Sequence, residues 1–168
     1  MSQPIRPLFA LRSVMFAASV AASSIAFAGP TNVPFKATLV TQEVLHFDPS
    51  ICQAPSLVGV TTGSGHASHM GATTGIATDC ATLTPASTFS FANGKLTLTA
   101  ANGDEVRVDY SGSLSATATP PIYAVTGTYR ITGGTGRFSN ANGTGTLQGI
   151  ENLHTGQGQL QLSGAISY

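Results

Sequence analysis

The sequence predicts an all-β fold, a small closed antiparallel barrel of about eight strands. Three observations point there. Almost no segment past the first 28 residues has helical period; apolar and polar residues alternate over short runs instead. Gly, Asn and Pro punctuate these runs roughly every 8 to 12 residues, the rhythm of a sandwich or barrel. The 19 glycines suit strands that must bend and coil, and consecutive hairpins favour a meander whose closure removes exposed edges.

In chain order, Val33–Phe47 is a long β segment ended by Asp48-Pro49. Leu57–Thr62 is the next. His66–Leu83, rich in Thr, Ala and Gly, holds one or two strands with a bend near Gly71 or Gly75, and Pro85 interrupts. Thr88–Phe91 leads into Asn93-Gly94, a hairpin signal because both residues tolerate positive φ. Lys95–Ala101 then alternates, with Leu96 and Leu98 opposite Thr97 and Thr99, and Asn102-Gly103 gives a second turn. In Glu105–Tyr110, Val106, Val108 and Tyr110 face one way and Glu105, Arg107 and Asp109 the other. Ser111–Pro121 reads as an exposed loop of small residues. Ile122–Ile131, Thr144–Ile150 and Gly158–Ile166 complete the set.

Composition excludes several functions. Basic and acidic side chains number 7 each, and charged residues are 8% of the chain against roughly a quarter in an average domain. No basic surplus exists to neutralise phosphates, so no nucleic-acid partner is expected. No charge run forms an acidic tail or a polybasic membrane patch.

Residues 1–28 read as a secretory signal peptide. Arg6 and Arg12 precede the uncharged run Ser13–Ala28, which closes on the small-x-small site Ala26-Phe27-Ala28. At 16 residues, that run falls short of the roughly 20 apolar residues of a transmembrane helix. The expectation is export to the periplasm or the medium, with residues 29–168 as one domain. In that compartment the even pair Cys52 and Cys80 reads as a disulfide, closing a 29-residue loop. Such a bridge contributes roughly 3 to 4 kcal/mol on the chain-entropy model. No C-x-x-C is present, and no metal or cofactor is expected.

One segment carries more than fold information. Ile131–Gly145 reads I-T-G-G-T-G-R-F-S-N-A-N-G-T-G. Gly133, Gly134 and Gly136 permit a tight excursion after a strand, Phe138 can plug the end of the core, and Ala141, Gly143 and Gly145 allow close backbone approach. A phosphate loop would need Gly-Lys-Ser/Thr and a following helix, and both are missing. The string resembles the G-G-T-G-x-F-x-x-A-x-G signature of allene oxide cyclase-like and dirigent-like barrels, matching at Gly133, Gly134, Thr135, Gly136, Phe138, Ala141 and Gly143. Secreted bacterial proteins of this type also have segments similar to Gly65–Gly71 (G-H-A-S-H-M-G) and Ala101–Asp104 (A-N-G-D). The resemblance implies a calycin-like barrel with an apolar interior that positions a substrate without a cofactor. It transfers no catalytic residue, because the matched positions are turn and packing residues.

The ligand-binding candidates are His69, Tyr110, Tyr129 and Arg130. His69 could line the barrel or bond a neighbouring strand; with His66 it would ligate a metal only if the segment bends. Tyr110 offers an apolar ring and a single hydroxyl donor. Tyr129 and Arg130 sit on opposite faces before the glycine motif, so one of them should look inward. A Ser68-His69-Asp104 triad lacks the nucleophile-elbow context. Glu105, Arg107 and Asp109 fit a solvated outer face better than a barrel interior. The alternating end Leu160–Tyr168 resembles an outer-membrane strand, yet the aromatic girdles of such barrels are absent and no membrane insertion is expected. The functional expectation is a barrel holding a small apolar or aromatic molecule. The alternatives are a cofactor-independent dirigent-like or cyclase-like enzyme, and a non-catalytic surface or matrix protein.

Overall fold

A computed structural model describes residues 32–84 and 88–168. The segment expected to be a signal peptide and the interruption expected at Pro85 lie outside the described residues. Eight strands follow in order: β1 (Val33–His46), β2 (Leu57–Ala67), β3 (Gly71–Leu83), β4 (Phe89–Ala100), β5 (Glu105–Ala116), β6 (Ile122–Gly134), β7 (Asn142–Asn152) and β8 (Gln157–Ser167). Each pairs antiparallel with the next, and β8 returns to β1, so the sheet closes into a barrel. A single 3-10 turn, Gly136–Phe138, sits between β6 and β7.

Alternation decides which side chains go inside. On β1, Phe35, Ala37 and Leu39 are buried while Lys36, Thr38 and Val40 face out. On β5, Val106 and Val108 are buried and Tyr110 points the same way, as the sequence predicts. The opposite face of β5 is a solvated charged surface. Lys95 Nζ lies 2.8 Å from Asp109, Arg130 3.6 Å from Asp109, and Arg107 3.0 Å from Glu105. Such exposed pairs add little to stability.

Two sequence expectations need correction. Asn93-Gly94 is not a hairpin: β4 runs through it, with the register to β5 shifting between Phe91 and Gly94 and Asn93 at φ 58°. The left-handed preference that suits a two-residue turn equally suits a bulge, which re-aims a strand without ending it. Most of Ser111–Pro121 is not a loop. β5 continues to Ala116, because Leu114 packs inward while small polar residues alternate outward. The bend expected near Gly71 is present: β2 and β3 are separate strands joined at Ser68–Met70, where His69 takes φ 65° and Gly71 φ 74°.

The two ends of the barrel differ. At the closed end, Phe138 is fully buried above Phe35, Leu98, Val106, Ile131 and Ile166, which belong to the same core cluster. The three motif segments meet here. Thr135 N donates to Glu105 O at 3.0 Å, and Glu105 N donates to Thr135 Oγ1 at 2.9 Å. The Arg137 guanidinium donates to the His69 carbonyl, lies 3.8 Å from Asp104 and covers the Phe138 ring at 4.8 Å. At the other end, the predicted disulfide is present. Cys52 and Cys80, with Cα atoms 5.6 Å apart, tie the β1–β2 connection to β3.

Candidate functional site: an acidic cavity at the disulfide end

The closed half of the barrel is filled by its own side chains; the disulfide half is not. It encloses a cavity of about 90 Å³. One water needs roughly 10–15 Å³ by the same measure, so the space admits a small organic group. Tyr129 forms part of the floor. Its hydroxyl lies over two glycines: a side-chain carbon on Gly145 or Gly164 would come within 2.6 or 2.7 Å of it, so only glycine leaves room for the ring. Phe35 meets the Tyr129 ring edge-on from the core below, at 6.4 Å between centroids. The walls are apolar and aromatic, with Leu39, Phe89, Phe91, Leu114 and Leu162 among them.

Toward the mouth the lining changes character. Glu43 from β1, Asp79 from β3 and Glu151 from β7 all line the cavity. Strand parity puts them there. Glu43 continues the inward row Phe35, Ala37, Leu39 and Thr41, and Glu151 continues the row of Leu147. Asp79 stands on the inward face of a strand of small residues and is only 8% exposed. Tyr110 Oη donates to Asp79 Oδ2 at 2.7 Å. Asp79 Oδ1 is buried without a partner. Thr61 Oγ1 donates to Glu43 Oε1 at 3.5 Å. Gly59 opens the space between these acids: a side-chain carbon there would sit 2.6 Å from Glu43 Oε1 and 2.9 Å from Asp79 Oδ1.

Burial sets the electrostatics. Desolvation pushes the Asp79 carboxyl up to about 6, with the Tyr110 hydrogen bond pulling it down and the Glu43 charge pushing it up. Glu151 is pushed up to about 9 by burial, then by its hydrogen bond to Glu43, then by the charges of Glu43 and Asp79. Glu151 therefore holds its proton to higher pH than an ordinary carboxyl does. Burial raises Tyr110 well above the ordinary phenol range, and Asp79 raises it further. Tyr129 is pushed up to about 12 by burial. The cavity lining contains no Lys, Arg or His among the described residues.

Of the sequence candidates, the structure brings together Tyr110 and Tyr129. His69 and Arg130 stand elsewhere. His69 lies at the closed end, where its Nε2 donates to Pro34 O at 2.9 Å and its ring packs at a tilt against Tyr168, 5.7 Å between centroids. Arg130 lies on the outer face beside Asp109. Ser68 Oγ accepts from Lys36 N at 2.9 Å, a strand-end contact. The described residues hold no group of three His, Cys, Asp or Glu side chains arranged to ligate a metal ion. No motif in the sequence marks Glu43, Asp79 or Glu151. The parity of Glu43 with Phe35, Ala37 and Leu39 was the available signal.

The Tyr110–Asp79 contact makes a direct prediction. Tyr110→Phe removes the one hydrogen bond that lowers the Asp79 pKa, so Asp79 will titrate above about 6. Carboxyl-carbon NMR titration of both proteins measures this, and an unchanged midpoint would contradict the assigned contact.

Fold and site together define a closed eight-stranded β-barrel, filled at one end and hollow at the other, with three carboxyl groups facing into its cavity. Comparison with protein-family models, curated proteins and solved structures finds no match to this chain.

Proposed function

We propose that this protein is an exported barrel that binds a small apolar or aromatic molecule in the cavity at its disulfide end. The observation that carries the reading is the preformed concave space itself. Its walls are apolar and aromatic, and a few polar groups converge at one level, the usual constitution of a small-ligand site. The disulfide supports export, because such bonds persist in oxidising compartments. The charged outer face of β5 supports an aqueous surroundings for the barrel wall. The G-G-T-G-x-F resemblance supports a barrel of the allene oxide cyclase-like and dirigent-like type, although its residues cap the opposite end.

The test compares native and denaturing mass spectra of the protein purified from a bacterial periplasm, together with titration by the neutral fluorophore N-phenyl-1-naphthylamine. Saturable binding of the fluorophore, or a stoichiometric adduct lost on denaturation, is the expected result. Enhancing a wall residue's bulk, as in Leu114→Trp, should abolish it. The absence of both binding and adduct would overturn the reading. A second reading is a cofactor-independent cyclase-like enzyme, favoured by Glu151, whose carboxyl is raised by burial beside the other acids. It requires turnover that Glu151→Gln abolishes while leaving fluorophore binding intact.

A further inference from the structure

We propose that the cavity's ligand carries a single protonated amine, seated between Glu43 and Asp79, with its apolar portion against the aromatic walls. The inference rests on the cavity reading above and names the ligand class that the site fits.

Three carboxyl groups face a largely apolar space, and the lining supplies no cation among the described residues. All the ion pairs of the described residues lie outside the cavity, on Asp104, Glu105 and Asp109. A buried carboxylate without a counter-charge must take up a proton or find a cation. Glu151 leans toward the first course, its carboxyl raised by burial and by Glu43 beside it. Asp79 is left with Oδ1 buried and unpartnered, its other oxygen held by Tyr110.

Glu43 Oε1 and Asp79 Oδ1 lie 2.6 and 2.9 Å from the position a Cβ of Gly59 would take, so the two oxygens stand close together beside that residue. One ammonium group, with three donors on a single nitrogen, can therefore reach both oxygens. A planar guanidinium would want both oxygens of one carboxylate, and Asp79 Oδ2 is already engaged by Tyr110. A divalent metal does not fit, since the acids form no ligating cluster and calcium would call for about six to eight oxygens. The groups facing Asp79 are Glu43 on β1, Thr61 on β2, Tyr110 on β5 and Glu151 on β7, none of which can be a cation.

An independent observation lies deeper in the cavity. The Tyr129 hydroxyl, on a residue only 3% exposed, also has no hydrogen-bond partner. Unpartnered polar atoms thus occur both at the acidic level and on the floor, where buried polar groups ordinarily have a hydrogen-bond partner. The aromatic rings between the two levels, Phe91 and Tyr110 at 5.9 Å between centroids, suit the face of a ring and tolerate a nearby cation.

The test uses three probes of matched size: 2-phenylethylamine, 2-phenylethanol and 3-phenylpropanoate, titrated at pH 7.5 by calorimetry and amide NMR. The amine should bind at least tenfold tighter than the alcohol, and the carboxylate should be weakest. Asp79→Asn and Glu43→Gln should each reduce the amine's advantage over the alcohol to under threefold, while leaving alcohol affinity within twofold. Two variants guard against a folding failure in either. Equal affinity for amine and alcohol overturns the inference and leaves the cavity reading standing. So does an amine preference that survives both substitutions. If none of the probes binds and the neutral fluorophore is also rejected, the cavity reading fails, and this inference with it.

Discussion

Phe138→Ala will destabilise the barrel by about 3–5 kcal/mol, the usual cost of emptying a buried aromatic site. Phe138 is fully buried and closes one end of the barrel. Its ring lies 4.9 Å from Tyr168 and beneath Arg137, and its backbone N–H donates to Thr135 O at 2.9 Å. The strands around it cannot collapse inward, because the closed hydrogen-bonded ring of eight strands fixes the radius. The cavity left behind therefore persists, and cavity persistence is what makes such substitutions costly. At this chain length the loss corresponds to a Tm roughly 10–20 °C lower. Urea titration of the oxidised protein measures it. Phe138→Leu should lose less, because more of the volume is kept. Phe138 does not line the cavity at the other end, so fluorophore affinity should survive in the folded fraction. A loss below about 1 kcal/mol would mean that the end cap is not a packed element of the core.

The unliganded protein will be more stable at pH 5 than at pH 8.5, the reverse of a protein stabilised by carboxylate ion pairs. The sign follows from the cavity acids. Asp79 titrates near 6 in the folded state against 3.8 as its ordinary value. A raised carboxyl contributes stability that is fully present below its unfolded value and lost as pH rises through its folded one. For Asp79 this amounts to about 3 kcal/mol, lost between roughly pH 4 and pH 6. Glu151 works in the same direction over a higher window, from its ordinary 4.5 up to about 9. Asp109 and Asp48 oppose this, since hydrogen bonds from Lys95 and from Ser50 hold them low. Both are solvent-facing, so their contribution is screened, and it appears only as pH falls below the ordinary carboxyl range. Thermal unfolding from pH 4 to pH 9 tests the profile. Asp79→Asn should flatten its lower part and Glu151→Gln its upper part. A wild-type profile that rises from pH 5 to pH 8.5 would show that these acids are not buried as described. A bound amine should offset the loss, because it supplies the missing counter-charge and binds only the native state.

Much of the fold is legible in the sequence because period-2 alternation leaves little choice about sidedness. Val106, Val108 and Tyr110 against Glu105, Arg107 and Asp109 is one instance, and Leu160, Leu162 and Ile166 against Gln159, Gln161 and Ser163 is another. The errors fall where local chemistry has two uses. Asn93-Gly94 serves a bulge as readily as a turn, and Ser111–Ala116 is polar and small yet spans a strand whose inward Leu114 holds it in place. The site was less legible than the fold. The segments with recognisable motifs, around His69, Asp104 and Phe138, build the closed end and its hydrogen bonds. The cavity acids belong to no motif. Glu43, Asp79 and Glu151 lie far apart in the chain, and each looks like an isolated polar residue in a β segment.

By itself, the sequence determined an all-β chain, the inward and outward faces of its clearest strands, and a cysteine pair whose bonding the structure bears out. Tertiary structure alone decided that the barrel is filled at one end and hollow at the other, and that three acids share the hollow. The physical reason is the range of the interactions. Alternation is a local property, set by successive Cβ directions along one strand. Convergence depends on the register of every strand around a closed ring, through which β1, β3 and β7 bring Glu43, Asp79 and Glu151 to one level.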